Sequence, residues 1–260
     1  MADPVQEEII ETYRSGNHSD AFIQQLSLEG GRLRRHQSMA FQRLKTATGK
    51  NRVPLFACGT YQPVKSKLHT SVEPVTELNC SYSEAILQLK ELRIAPEDAE
   101  GKKRAKTVIS YFAARLAQTL AKLLERGDLR TLRPIFVSPL PSAETGALPF
   151  GLNKVVEDAC ALAGADFLYR PLVYRGEAVE KVHLAENKRE ADVQVQSLLI
   201  VRDLGVRNRM VLLVDDVVTT GNTLRAAGEL MNLYNEAFAR GIGLGKTAST
   251  VRDQSGAVII

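Results

Sequence analysis

Apolar residues recur with two different periods along this chain, and the change of period marks its organisation. From Lys103 to Leu124, Val108, Phe112, Leu116, Leu120 and Leu124 recur every four residues beside Ile109, Ala113 and Ala117. That spacing lays them on one wide stripe of an amphipathic helix. Beyond it, short apolar runs alternate with helical patterns: a strand near Pro134 to Val137, a helix near Leu152 to Leu162, and a strand near Phe167 to Val173. A strand at Met210 to Val214, a helix at Thr223 to Tyr234 and a weaker strand near Ile242 to Thr250 follow. Such alternation predicts an α/β fold, a parallel sheet flanked by helices and joined by right-handed crossovers. Ligands of these sheets bind beyond the carboxyl ends of the strands.

The first 50 residues read differently. Asp3 before Pro4 is a helix start, Gly16-Asn17 a stop, and Ser19 with Asp20 caps a second helix through Phe22, Ile23 and Leu26. After Gly30-Gly31 a basic helix is expected from about Arg32 to Lys45. Between about 51 and 80 the helical period vanishes, and Val53, Leu55, Phe56, Tyr61, Val64, Val72 and Val75 fall between prolines and glycines, which favours short strands and turns. The division expected is a helical N-terminal extension over residues 1–50 and one domain over residues 51–260.

Composition narrows the classes. The chain has 260 residues, 44% hydrophobic and 25% charged, with a mean hydropathy of −0.14 and no apolar run long enough to span a bilayer, so neither a membrane span nor wholesale disorder fits. The acidic start MADPVQEEII lacks the basic-then-apolar plan of a secretory signal, and the cysteines number three, Cys58, Cys80 and Cys160. A reducing cytoplasm is the expectation. Net charge is only +4, but from Gly30 to Val72 there is no Asp or Glu while nine cations occur. Arg32, Arg34, Arg35 and Arg43 in that stretch suit nucleic-acid phosphates, against the commoner case of a solvated charged face.

The chemistry concentrates in Val211-Leu-Leu-Val-Asp-Asp-Val-Val-Thr-Thr-Gly-Asn-Thr223. Four apolar residues predict a buried strand that ends in two carboxylates, Asp215 and Asp216, where a parallel sheet opens its crevice. Two neighbouring buried charges are costly without partners, so something polar, such as vicinal hydroxyls or a metal-bound ligand, is expected to complete them. Thr219, Thr220, Gly221, Asn222 and Thr223 then lead into a helix. Its first-turn N–H groups and dipole make an anion site suited to a phosphate, and Gly221 lets backbone approach closely. Together these parts describe a receptor for a ribose 5-phosphate.

Two other uses of an acidic strand fit less well. A receiver domain would need more than the 44 residues that follow Asp216. A nucleotide hydrolase would need a phosphate loop, and Gly241-Ile-Gly-Leu-Gly-Lys-Thr247 is one residue short of it and lies downstream. Gly241 to Thr247 is expected as a turn plus a late strand, with Lys246 solvated.

The thirteen residues resemble the phosphoribosyl pyrophosphate (PRPP) motif of the type I phosphoribosyltransferases. The wording Val-Asp-Asp-Val-Val-Thr-Thr-Gly is most similar to the ComF-like, amidophosphoribosyltransferase-related branch, and the likeness covers roughly residues 80 to 250. The resemblance implies that Asp215 and Asp216 hold the ribose 2- and 3-hydroxyls, directly or through the hydration shell of a Mg2+ ion bound to PRPP, with no direct protein ligation of the metal. It implies that Thr219 to Thr223 hold the 5-phosphate. Relatives acting on 6-oxopurines typically carry Asp where this chain has Thr219, a departure from hypoxanthine or guanine salvage. The loop after the Pro134 strand, Ser138-Pro139-Leu140-Pro141-Ser142, is implied to bind pyrophosphate through backbone amides. Prolines cannot donate, which leaves Leu140, Ser142 and Ala143. The polar connection from Tyr174 to Arg189 is implied to be a flap, with Lys181, Lys188 and Arg189 as its cations and His183 outside the chemistry. The zinc ribbon of some ComF-like proteins is not expected, because Cys58 and Cys80 with His69 between them lack metal-ligand spacing. The resemblance thus implies displacement of pyrophosphate from PRPP by a nitrogen acceptor, in a homodimer. The rival class is a PRPP-sensing or effector protein that binds nucleic acid through its basic N-terminal region.

Overall fold

A computed structural model describes residues 53–62, 74–129, 133–142, 148–175, 197–201, 203–248 and 257–260. The expected N-terminal extension lies outside them.

The centre is a sheet in which every pairing is parallel. β1 (Leu55–Ala57), β2 (Thr60–Tyr61), β5 (Ile135–Pro139), β6 (Phe167–Tyr169), β9 (Met210–Val218), β10 (Phe238–Thr247) and β11 (Val258–Ile259) build it in the order β11-β1-β10-β9-β5-β6, with β2 also on β10. The parallel α/β sheet flanked by helices is therefore the observed fold. β3 (Pro74–Val75) pairs antiparallel with β4 (Cys80–Ser81), and β7 (Val173–Arg175) with β8 (Leu198–Ile200). The single strand expected over Phe167 to Val173 is two, because Pro171 interrupts it and β7 joins β8 instead of the main sheet.

Helices cover both faces. α1 (Tyr82–Glu91), α2 (Ala99–Glu125) and α3 (Phe150–Ala163) lie on one, and α4 (Asn222–Asn235) lies on the other with the β7–β8 ribbon. Strand alternation makes the division: Met210, Leu212 and Val214 enter the core with the first three helices, while Val211 and Leu213 enter the core with α4. Val211 to Val214 are fully buried, each contributing about 2 kcal/mol by the usual transfer values. Asp98 starts α2 by accepting from the Gly101 amide at 2.7 Å, four residues before the expected start, and Val108, Phe112, Leu116, Leu120 and Leu123 make its buried stripe.

α1 is set by a reciprocal cap. The Ser81 hydroxyl accepts from the Glu84 amide, and Glu84 accepts from the Ser81 amide at 2.7 Å. Its first residue, Tyr82, is buried and donates to the Leu244 carbonyl on β10 at 2.5 Å. The ring stacks edge-on with Tyr111 and Phe112 of α2 and lies against Gly59, where a Cβ would come within 2.8 Å of it. That close approach fastens α1 to both β10 and α2.

Candidate functional site: two carboxylates and a glycine-entered helix start

β9 does not stop at the carboxylates, as its apolar run predicts, but continues to Val218. It loses β5 after Val214 and stays paired with β10 through Val218, opposite Lys246. Backbone pairing is indifferent to side-chain polarity, and Gly243 and Gly245 of β10 let the strand continue past Asp215. The acidic pair thus sits on a strand end open on its β5 side.

Side chains of consecutive strand residues leave opposite faces of a sheet. Asp216 follows Leu212 and Val214 and meets Lys90 from the last turn of α1, Nζ to Oδ1 3.1 Å. Asp215 follows Val211 and Leu213 towards the face carrying β7, whose Arg175 acts on it through charge. The Asp215 carboxylate also accepts from the Asp216 amide at 2.9 Å. Burial, and then the neighbouring Asp216 charge, push Asp215 from 3.8 up to about 7, against the opposing pull of Lys90, the Asp216 amide and Arg175. A carboxyl poised near neutrality and half-buried at a strand end is suited to hydroxyl or cation contacts.

The Thr219 hydroxyl lies 3.1 Å from that of Thr247 at the end of β10. Thr220 accepts twice, its carbonyl from Arg225 at 2.8 Å and its hydroxyl from the Asn222 amide at 3.4 Å. Gly221 has φ +77°, the left-handed region, and as the residue immediately before α4 it offers no side chain of its own to cap the first turn, whose Asn222 amide is met by Thr220. A Cβ at Gly221 would collide with Leu55 of β1. The motif residues Thr219, Thr220, Gly221, Asn222 and Thr223 therefore come together beside Asp215 and Asp216, at a helix start whose amides and dipole favour an anion.

The loop after β5 requires a correction. Leu140 is buried and its amide donates to the Val214 carbonyl at 2.8 Å, so that N–H is already spent on the sheet. The Ser142 carbonyl accepts from Arg175 Nε at 2.7 Å, and the Ser138 hydroxyl accepts from the Leu172 amide at 2.9 Å. Ala143, Lys181, His183, Lys188, Arg189, His69 and the basic Arg32, Arg34, Arg35 and Arg43 lie outside the described residues. Lys246, expected in solvent, is half-buried and donates to the Ala257 carbonyl at 2.7 Å, because Gly241 to Thr247 is all strand.

Two cations escaped sequence reading. Lys90 carries no local motif, and only the capping box Ser81-x-x-Glu84 ahead of Ile86 and Leu89 could have flagged its helix. Arg175 stands in a polar stretch that reads as solvated, yet is 2% exposed. Burial pushes its guanidinium down to about 10, opposed by Asp215, so it remains a cation at neutral pH.

Residues 165–239, from just before β6 into β10, match the family model described as phosphoribosyl transferase domain. The match contains both acidic residues and the whole of Thr219 to Thr223. No curated protein matches the sequence. Among solved structures, hypoxanthine phosphoribosyltransferase from Trypanosoma cruzi is 16% identical at TM-score 0.35, covering 58% of this chain and 76% of that one. Adenine phosphoribosyltransferase from Saccharomyces cerevisiae is 15% identical at TM-score 0.35, covering 67% and 97%. Hypoxanthine phosphoribosyltransferase from Staphylococcus aureus is 14% identical at TM-score 0.32, covering 76% and 83%. No helix among the described residues is long and apolar enough to cross a membrane.

Proposed function

We propose that this chain is a phosphoribosyltransferase that takes PRPP and transfers ribose 5-phosphate to a nitrogen acceptor with release of pyrophosphate. The motif wording Val-Asp-Asp-Val-Val-Thr-Thr-Gly, most similar to that of the ComF-like branch, supports that assignment within the proposal. One observation carries the reading: Asp215 and Asp216 stand near the open end of β9, a few residues before a helix entered through a left-handed glycine. Asp215 and Asp216 bind the ribose hydroxyls, and Thr219 to Thr223 cradle the 5-phosphate. C1 is then attacked by the acceptor nitrogen as its bond to pyrophosphate oxygen breaks. The protein orients the two partners and needs no covalent nucleophile.

Mg2+ fits the donor set, since two carboxylates are hard oxygen donors and the elevated Asp215 gains from a neighbouring cation. Asp215 and Asp216 would hold it through water, and the ion supplies neutralisation of the departing pyrophosphate.

Calorimetric titration of PRPP with and without magnesium, on wild type and on Asp215→Asn/Asp216→Asn, tests the reading. Magnesium-dependent binding that the double substitution abolishes is expected, followed by pyrophosphate release in an acceptor screen. A folded wild-type protein that binds no PRPP overturns it.

A further inference from the structure

Between the N-terminal halves of α2 and α3 lies a groove of about 360 Å³ whose walls are mostly apolar, with Pro96, Ala105, Ile109 and Phe150 among them. The chain that closes one end is held in place. The Leu92 carbonyl accepts from the Gly151 amide at 2.7 Å and the Arg93 carbonyl from the Phe150 amide at 3.1 Å, while Asp98 caps α2. Ile94, one residue before the groove wall, is 83% exposed. The groove is thus preformed, and its apolar surface continues onto a side chain that faces water.

Its rim is basic at a place where cations are costly. Lys102 and Lys106 stand four residues apart near the start of α2, where like charges at that spacing repel and the helix dipole disfavours a cation. Glu100, the acidic residue of the first turn, faces Arg104 at 3.6 Å, and Lys154 on the opposite wall is met by Glu157 and Asp158. Lys102 and Lys106 have no acidic partner among the described residues. An apolar stripe edged with carboxylates is the complement of such a surface.

The chain carries that complement in Val5-Gln-Glu-Glu-Ile-Ile-Glu-Thr-Tyr13, which lies outside the described residues. At helical spacing Val5, Ile9 and Tyr13 share one face, and Glu7, Glu8 and Glu11 fall beside it. About 40 residues separate this segment from Val53, a tether that can extend to about 130 Å and so reaches any part of the domain. Tethering also supplies the segment at an effective concentration on the order of millimolar, above that of a free acidic partner.

We propose that the groove between α2 and α3 seats the chain's own residues 5–13, with Val5, Ile9 and Tyr13 against its apolar walls and the glutamates against Lys102 and Lys106. This docking stands apart from the function proposed above.

The test uses the full chain with Cys80→Ser, which removes the partly exposed native thiol, and Ile9→Cys, which places a reporter on the docked face; Cys58 and Cys160 are buried. A thiol reagent is expected to label the introduced thiol about tenfold more slowly than a free peptide of residues 1–16 with the same substitution. Lys102→Glu/Lys106→Glu restores the peptide's rate, and adding Glu7→Lys/Glu8→Lys/Glu11→Lys slows labelling again. Both lysines are exposed, and glutamate suits a helix start, so the reversed chain is expected to fold. Should it not, carbodiimide coupling of the unsubstituted chain decides alone, with Glu8 or Glu11 joined to Lys102 or Lys106 as the expected product. Labelling at the peptide's rate, protection that survives the lysine reversal, or an exchange of charges that restores nothing overturns the inference. Coupling that joins those glutamates only to other lysines does the same. Protection that grows with chain concentration overturns it by giving the groove to a second copy.

Discussion

Lys90, in the last turn of α1, bridges to Asp216 on β9 at 3.1 Å, although 126 residues separate them in the chain. The charge of Lys90 is also the strongest influence holding Asp215 down against burial and Asp216. Lys90→Met is therefore expected to raise the Asp215 midpoint further and to weaken PRPP binding at pH 7. The pair is partly exposed, so the loss of stability should be only about 0.5 kcal/mol. Carboxyl NMR titration and urea unfolding of the variant check the two parts separately, and an unmoved Asp215 midpoint would sink the first.

The elevation of Asp215 has a signed consequence for stability. Its carboxyl titrates at about 7 in the folded protein against an ordinary 3.8, so between those values the folded chain keeps a proton that the unfolded chain has lost. This group's contribution is complete below about pH 4 and disappears as pH rises through 7. Asp215→Asn should remove that slope, making the variant more stable than wild type at pH 8 by about 1–3 kcal/mol, with a smaller gain at pH 5. Urea midpoints at both values measure it; equal gains at the two would contradict the assignment.

Gly221→Ala places a Cβ on a left-handed residue and against Leu55. The expected cost is about 1–3 kcal/mol, together with loss of ribose 5-phosphate binding because the start of α4 must shift. Thermal unfolding and calorimetry of the variant decide the point, and unaltered binding would show that the loop is not the phosphate cradle.

The three thiols should differ in reactivity. Cys58 and Cys160 are buried, and that burial pushes them up to about 11 and about 12, while Cys80 is raised but partly exposed. A thiol reagent at pH 8 should label Cys80 in the native protein and reach the other two only after unfolding, since the thiolate is the reactive form. Mass spectrometry of the labelled peptides reads the order directly.

Sequence reading located β9, α4, α2 and the parallel sheet because each writes its period into consecutive residues. It ended β9 too early because the strand runs past Val214 on backbone pairing with β10, which leaves no apolar signature in Asp215-Asp216. It passed over α1 although Ser81 and Glu84 carry the capping signal. Motif residues were legible since they are contiguous. Lys90 and Arg175 were not, because what gives them meaning is a partner 126 residues away in one case, and in the other a burial created by the Ser142 loop and the Ser197 hydroxyl. The spent amide of Leu140 was equally hidden, since only the register of β5 on β9 reveals its acceptor.

Tyr82 and Lys90 occupy opposite ends of one ten-residue helix. The tyrosine is bolted to β10 through Leu244, and the lysine delivers its charge to β9 about 12 Å away along the helix axis. α1 is accordingly a rigid strut whose far tip is part of the electrostatic environment of the acidic pair. A shift of the aromatic anchorage is expected to be carried along the helix to Lys90, and so to alter how strongly Asp216 is neutralised. On the function proposed above, a core substitution at Tyr82 is therefore expected to change ligand affinity without altering Asp215, Asp216 or the Thr219 to Thr223 loop.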